Sequence, residues 1–455
     1  MRVARVGRGR EGRGRPGTRW TPVSSGDDSA AVSIESPDND ITSERPGEGG
    51  RLAGGGPEAW EWRNFALLTA STVVTTVGSS GAAIASAFAV LEAGGDGTGV
   101  GIVAAARTVP LVVFLLVGGA LADRLPRHRV MVGANVLNCL SQAAFALLVL
   151  TGHPALWQMA ALAALGGTGQ AFFQPAAQGM VLSSVSGPRA GRAFALYRMG
   201  ANTSSILGTA LCGALVAAIG PGWVLAVDAA GFAVAALMRA FLRVPPGTER
   251  AGTSGMLGDL RDGWREFVSR RWLWGIVVQF SVVNAVITAA EAVYGPLVAK
   301  EHLGGARPWG LALAVFGVGT LAGGALMTRW KPRRLLFAGT LAVFPLVLPT
   351  LALAALAPVP VLAAAMLVAG VGVEVFSVAW MTALHQEIPE EKMSRISAYD
   401  WFGSVALTPV GTALAGPAAD AFGMSAALWG AAALVVVLTS AVLVVPEVRR
   451  LARTA

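Results

Sequence analysis

The sequence predicts an all-α membrane protein of twelve transmembrane helices in two six-helix bundles, on three observations. Of 455 residues, 54% are hydrophobic and only 14% are charged, against roughly 45–50% and about 25% in soluble domains. The apolar residues gather in unbroken runs of the roughly 20 residues needed to cross a hydrocarbon core about 30 Å thick. The runs fall six on each side of one longer polar stretch, and the two sets share sequence.

Residues 1–63 open with Arg2, Arg5, Arg8, Arg10, Arg13, Arg15 and Arg19 and continue in Gly, Ser and Pro. Such a composition buries too little apolar surface to offset chain entropy, so a disordered cytoplasmic tail is expected. It holds no apolar segment of about 7–15 residues ahead of a cleavage site, so the first run itself is expected to direct insertion. The runs then occupy 65–91, 100–121, 130–150, 156–182, 193–219 and 222–242, followed by 273–299, 309–328, 335–356, 359–384, 396–416 and 424–445. An amino-terminal bundle over 64–242 and a carboxyl-terminal bundle over 273–446 are thereby predicted, with a short tail over 447–455. Between the bundles, 243–272 begins with Pro245, Pro246 and Gly247 and turns amphipathic around Met256 to Val268, a linker with a surface helix.

Basic residues fix the expected orientation, because cytoplasmic connections retain them. The even-numbered connections carry Arg124, Arg127 and Arg129, then Arg189 and Arg192, then six arginines from Arg243 to Arg271, then Arg329, Lys331, Arg333 and Arg334, then Lys392 and Arg395. The odd-numbered ones carry Lys300 and Arg307 alone. Both termini and the linker are therefore expected in the cytoplasm. The same topology accounts for the net charge of +8 without any basic domain for nucleic acid.

Other classes of chemistry lack their residues. Cys139 and Cys212 both fall within apolar runs, and His128, His153, His302 and His385 fall at or near run ends, so neither a disulfide framework nor a metal site is expected. No G-x-x-x-x-G-K-[ST] phosphate loop is present, and no cofactor is expected.

The halves are related. Gly118-Gly119-Ala120-Leu121 followed by Arg124 recurs as Gly323-Gly324-Ala325-Leu326 followed by Arg329. A second block, 203 residues apart, pairs Gly169 with Gly372, Phe173 with Phe376, Arg192 with Arg395 and Gly200 with Gly403, and then Gly208-Thr209-Ala210-Leu211 with Gly411-Thr412-Ala413-Leu414. Two such bundles in the same orientation imply an axis along the membrane normal and a site between them near the midplane.

Gly119-Ala120-Leu121-Ala122-Asp123-Arg124-Leu125-Pro126-Arg127 resembles the signature G-x-L-A-D-R-x-G-R-R that follows span 2 in the major facilitator superfamily, with Pro126 in place of the signature glycine. Within that family the chain resembles the bacterial exporters of enterobactin and macrolides, through Ala104-Ala105-Ala106-Arg107-Thr108-Val109-Pro110 and Leu384-His385-Gln386-Glu387-Ile388-Pro389. The resemblance implies a multi-pass protein of a bacterial inner membrane, acting as a monomer. It also implies a cytoplasmic gate of Gly119, Asp123, Arg124, Arg127 and Arg395, in which Asp123 pairs with Arg127 and with the start of span 11 when that side is closed.

Ionisable groups within the spans are costly and usually face the bundle interior. They are Arg107, Arg198, Asp228, Glu291, Glu374 and Asp400. Since spans 1, 4, 7 and 10 line the cavity in the resembled family, Glu374 halfway along span 10 and Glu291 in the outer third of span 7 are the proton-coupling candidates, with Arg107 a possible partner for either. A carboxyl desolvated in such a place can exchange a proton near neutral pH; fixed pairing of Glu374 and an interfacial place for Glu291 are the alternatives. Asp228 is expected to serve packing or hydrogen bonding. Gln170, Gln174 and Gln178 share one face of span 4 and either bind a polar ligand or join helices. Phe376 and Trp380, with Tyr294, either receive a bulky amphipathic solute or pack helices.

The expected function is secondary transport of a small molecule across the bilayer, most concretely proton-coupled export of an amphipathic drug, siderophore or metabolite. An importer on the same fold is the nearest alternative. An intramembrane enzyme would need clustered nucleophile, base or metal ligands, and a non-transporting subunit would need an appended soluble domain; neither feature is in the sequence.

Overall fold

The computed structural model describes residues 59–124, 126–152, 154–184, 190–242 and 264–451. The first half contains α1 (Ala59–Glu92), α2 (Gly97–Arg124), α3 (Arg127–Leu150), α4 (Leu156–Ser184), α5 (Ala190–Ile219) and α6 (Pro221–Ala240). The second contains α7 (Arg271–Leu303), α8 (Ala306–Arg329), α9 (Leu335–Ala354), α10 (Val359–Glu387), an interrupted α11 (Glu390–Val405 and Thr408–Phe422) and α12 (Met424–Val444). Ten of these are long and apolar enough, among the described residues, to cross a membrane by length and composition. Helix α4 and the broken α11 complete the twelve that the apolar runs predict.

The ends differ slightly from the expected boundaries. Helix α1 starts at Ala59, inside the stretch expected to be tail. A short α13 (Pro446–Arg450) follows α12; its Val448 is buried, and the Glu447 carboxylate accepts a hydrogen bond from the Trp272 backbone N–H at 3.0 Å, capping the start of α7. In the linker, residues 264–269 are helical. Trp264 and Phe267 stack at 5.9 Å and both lie within 6.0 Å of the Tyr399 ring of α11. Glu266 bridges Arg270 and Lys392, each at 2.9 Å, and these two cations hold its carboxyl below the usual range.

Breaks in the spans trace to proline. Pro409 has no N–H to give Val405 and its ring crowds that turn, so α11 opens at residues 406–407. The polar groups of this break are met from α7: the Leu407 N–H donates to Ser281 Oγ at 3.3 Å, and Asn284 Nδ2 donates to the Ser404 carbonyl at 2.9 Å. This is how hydrocarbon tolerates irregular backbone. Around Pro296, α7 widens into π turns at Ala290–Tyr294 and Ala299–Leu303. It stops at Gly304 and Gly305, whose φ of 84° and 103° suit glycine alone.

The repeat is visible as packing. A Cβ on Gly208 of α5 would strike the Val77 carbonyl of α1, and one on Gly411 of α11 would strike the Ala285 carbonyl of α7, each at 2.6 Å. Likewise Gly167 of α4 rests on the Arg107 carbonyl of α2, and Gly370 of α10 on the Phe316 carbonyl of α8. The same glycines bring the same helix pairs together in both halves.

The halves meet along α2 with α11 and α5 with α8. Gly213 and Gly310 face each other so closely that a Cβ on either would lie 2.8 Å from the other's Cα. At the end bearing the odd-numbered connections, Gly416 packs on the Thr98 backbone, Thr98 Oγ1 donates to Asp420 at 3.0 Å, and Lys300 Nζ donates to the Leu91 carbonyl at 2.7 Å. The two halves are thus in contact at this end.

Candidate functional site between the halves

Glu374 occupies the middle of α10 and is half-buried. Its side chain lies on α8 at the second copy of the glycine pair, where a Cβ on Gly323 would come within 2.9 Å of its own Cβ, and Gly324 lies beside Oε1. Two residues without side chains thus make room for a carboxylate at mid-depth. The charge acting on it is the Arg198 guanidinium, from α5 of the other half. Arg107, a possible partner for Glu374 by sequence, acts on Asp228 instead, and the charge that acts on Glu374 comes from Arg198 across the boundary between the bundles.

Glu291 sits in the first π turn of α7. It lines a cavity of about 20 Å³ with Trp309, Phe316, Thr350 and Met366, which is room for about one water. The Trp309 ring is fully buried and its Nε1–H has no partner among the described residues. A π turn displaces one residue from the helical register and often marks a functional position; here the displaced turn carries the carboxyl. No Arg, Lys or His acts on Glu291 among the described residues.

Arg107 lies elsewhere than expected. Its Nη2 donates to Gln170 Oε1 of α4 at 3.2 Å, and its charge acts on Asp228 of α6. Asp228 is fully buried and accepts from Gln142 Nε2 of α3 at 2.7 Å and from Ser79 Oγ of α1 at 3.3 Å. Asp228 has the hydrogen-bonding role expected of it, and it also lies at the hub of a polar cluster on five helices, which the sequence does not announce. Ser79 and Gln142 carry no signal in one sequence, since a lone Ser or Gln in an apolar run reads as helix contact.

Phe376 and Trp380 form a stack within the carboxyl-terminal half. Phe280 of α7 stacks on Phe376 at 4.3 Å, Phe376 on Trp380 at 6.1 Å, and Trp272 meets Trp380 edge-on at 5.6 Å. Trp380 Nε1 donates to Asp400 at 3.0 Å. Both rings are buried, which corresponds to the packing alternative. Tyr294 is buried too, donating to the Ala415 carbonyl at 2.7 Å.

Arg127 opens α3. Gly119 falls within α2, while the side chains of Asp123, Arg124 and Arg395, and those of Gln174 and Gln178, lie outside the described residues. Asp400, at the expected landing site of the gate, turns toward α10 through Trp380.

Comparison with known proteins agrees with this architecture. The chain is 29% identical over 411 residues to a protein named multidrug efflux pump Tap from Mycolicibacterium fortuitum, covering 85% of this chain and 95% of that one. It is 27% identical over 402 residues to the Tap pump of Mycobacterium tuberculosis strain H37Rv, covering 85% and 94%. Among solved structures, the nucleoside transporter NupG superposes with a TM-score of 0.65 at 12% identity, covering 84% of this chain and 98% of that one. A bacterial homologue of the human lysosomal transporter Spinster superposes with 0.64 at 15% identity, covering 87% and 98%. At such identities these structures establish the fold. The sequence model described as Major Facilitator Superfamily matches residues 67–399, and the chain accordingly belongs to the major facilitator superfamily, a membrane transporter of small molecules and not an enzyme.

Proposed function

We propose that this transporter exports small amphipathic compounds in exchange for protons. The observation that carries the reading is the Glu374 carboxylate, set at mid-depth on α10 and attracted by Arg198 of the opposite half. Two bundles that rock about a midplane site must change the separation of charges held on either side of their boundary. Protonating Glu374 removes its attraction to Arg198, so the proton favours the arrangement in which the two are apart. A bias of this kind is a differential interaction between two states, which is what coupling requires. Export is supported by two relatives named as multidrug efflux pumps, alike over 85% of this chain.

The carboxyl Glu291 is the second coupling candidate, and Gln170, Gln174 and Gln178 line the proposed substrate path from α4. Asp123 with Arg124, Arg127 and Arg395 forms the proposed cytoplasmic gate. A carboxylate placed at a helix N-terminus gains roughly 0.3–1 kcal/mol, enough to tilt a balanced equilibrium several-fold. The seventeen basic residues of the even-numbered connections put both termini and the linker in the cytoplasm of a bacterial cell, with the protein acting as a monomer. In that orientation, the end where Gly416, Thr98 and Asp420 meet faces outward.

Cells carrying the chain should accumulate less ethidium, a fluorescent amphipathic cation, than cells lacking it, and discharging the proton gradient should remove the difference. Higher accumulation with the chain present would make it an importer. A reporter fused after Ala455 should be active in the cytoplasm; activity on the outer face would overturn the orientation.

A further inference from the structure

We propose that Asp228 is a protonation site of the amino-terminal half, and that Arg107 passes its charge state to Gln170 on the α4 face that lines the substrate path. The argument starts from burial. Asp228 is the eighth residue of α6, roughly 10 Å from that helix's end at 1.5 Å per residue, and no part of it is exposed. Ionised carboxyls at such depth are expensive unless paired in contact. The groups touching Asp228 are neutral: Gln142 Nε2 at 2.7 Å and Ser79 Oγ at 3.3 Å. Gly78 lets the carboxylate lie on the α1 backbone, since a Cβ there would meet Oδ1 at 2.5 Å.

This shell serves both protonation states. The ionised group accepts from Gln142 and Ser79. After uptake of one proton on an Oδ, the hydroxyl can donate to Ser79 Oγ, which rotates its own hydrogen away. In both states the carboxyl keeps a partner on each oxygen, Gln142 on one and Ser79 on the other, which distinguishes it from one locked in a fixed ion pair.

The charged and titratable groups around it are few. Arg107 on α2 acts on it electrostatically, and the Asp228 charge acts in turn on the Cys212 thiol of α5. From α1 and α3 it meets Ser79 and Gln142, which do not titrate. Arg239, farther along α6 itself, is engaged with Thr72 and lies 4.5 Å over the Phe173 ring. Arg107 is bonded to Gln170, so it is drawn from two sides: by the Asp228 charge when that is present, and by the α4 amide in either state. Protonating Asp228 leaves the amide as its stronger attachment, so a proton in this half alters a side chain on the substrate path.

The inference deepens the proton-coupled reading and rests on it, but it is tested without any substrate. The full-chain protein in lipid nanodiscs is titrated between about pH 5 and pH 9 while its infrared difference spectrum is recorded. A protonated-carboxyl C=O band should fade as pH rises, be missing from Asp228→Asn, and persist in Glu374→Gln. At a fixed pH within the transition, Arg107→Gln should strengthen the band, because the cation that favours the ionised form is gone. If Asp228→Asn fails to fold, Asp228→Glu should keep a titrating band at a displaced frequency. A band that is the same in wild type and either Asp228 variant, or unmoved in Arg107→Gln, overturns the proposal. The two readings fail separately: a titrating Asp228 without ethidium-linked proton movement removes the coupling and keeps this site, whereas linked movement without an Asp228 band removes this site alone.

Discussion

The two halves share their scaffold and differ in their charges. Gly208 and Gly411, or Gly167 and Gly370, bring matched helices together against matched carbonyls. In the registers of the two repeated blocks, however, Arg107 falls at Ala312, Asp228 at Ala431 and Glu374 at Ala171. Each of these three has an alanine as its counterpart, whereas Arg198 falls at Trp401 and Asp400 at Tyr197. The amino-terminal half holds a cation and an anion in one internal cluster. The carboxyl-terminal half holds single carboxyls: Glu291 in a π turn, Glu374 at the boundary between halves and Asp400 on the Trp380 indole N–H. Packing restrains a glycine wherever two backbones must touch, because a single Cβ there is a clash. A charged side chain is restrained only by what it must do, so duplicated halves can keep one frame while dividing the chemistry.

That contrast can be broken first at the seam, where the largest effect is expected. Gly310→Leu inserts a side chain where the Gly213 Cα leaves no room, and overpacking of this kind costs roughly 1–3 kcal/mol. Transport should be lost, with a lowered unfolding temperature in detergent. A fully active Gly310→Leu protein would show that the α5–α8 contact does not hold the halves as described.

A smaller effect is expected at the gate. Asp123→Asn keeps shape and removes charge, so ethidium efflux should fall several-fold, in line with roughly 0.3–1 kcal/mol at a helix end, at normal levels of protein in the membrane. Unchanged efflux would mean that the signature copy in the amino-terminal half has no more part in gating than Thr328 in the other half.

The smallest belongs to the linker. Glu266 is held low by Lys392 and Arg270, so its stabilising contribution is complete above the ordinary carboxyl range near about pH 4.3 and is lost as pH falls through its depressed value. At neutral pH, Glu266→Gln should lower stability by at most about 1 kcal/mol, and the difference from wild type should vanish in strong acid. A difference that persists in acid would place the docking in the Trp264, Phe267 and Tyr399 rings instead.

The scaffold was legible in the sequence because hydrocarbon imposes it: runs of fixed length, basic connections on alternate sides and glycines in register all follow from the solvent. The break in α11 was less so, since Pro409 marks a possible kink while Ser281 and Asn284, which satisfy it, are distant in sequence. The site was half legible. Glu374 stood out by depth, but the cation acting on it did not: the sequence offers Arg107 as a possible partner, and which arginine faces Glu374 depends on helix rotation that one sequence does not give. The Asp228 cluster assembles side chains from α1, α2, α3, α4 and α6, and one sequence gives no sign of which small polar residues converge. The gate signature was read from its motif, and the side chain of Asp123 lies outside the described residues.

The central claim is that a proton on the carboxyl-terminal half drives export across the boundary with the other. In proteoliposomes, wild-type protein given an ethidium gradient should move protons against the flow of ethidium, while Glu374→Gln, which keeps size and hydrogen bonding but cannot titrate, should still bind ethidium and move no protons with it. Proton movement at the wild-type rate in Glu374→Gln, and again in the double variant with Glu291→Gln, would contradict proton exchange through these carboxyls while leaving the transporter fold intact.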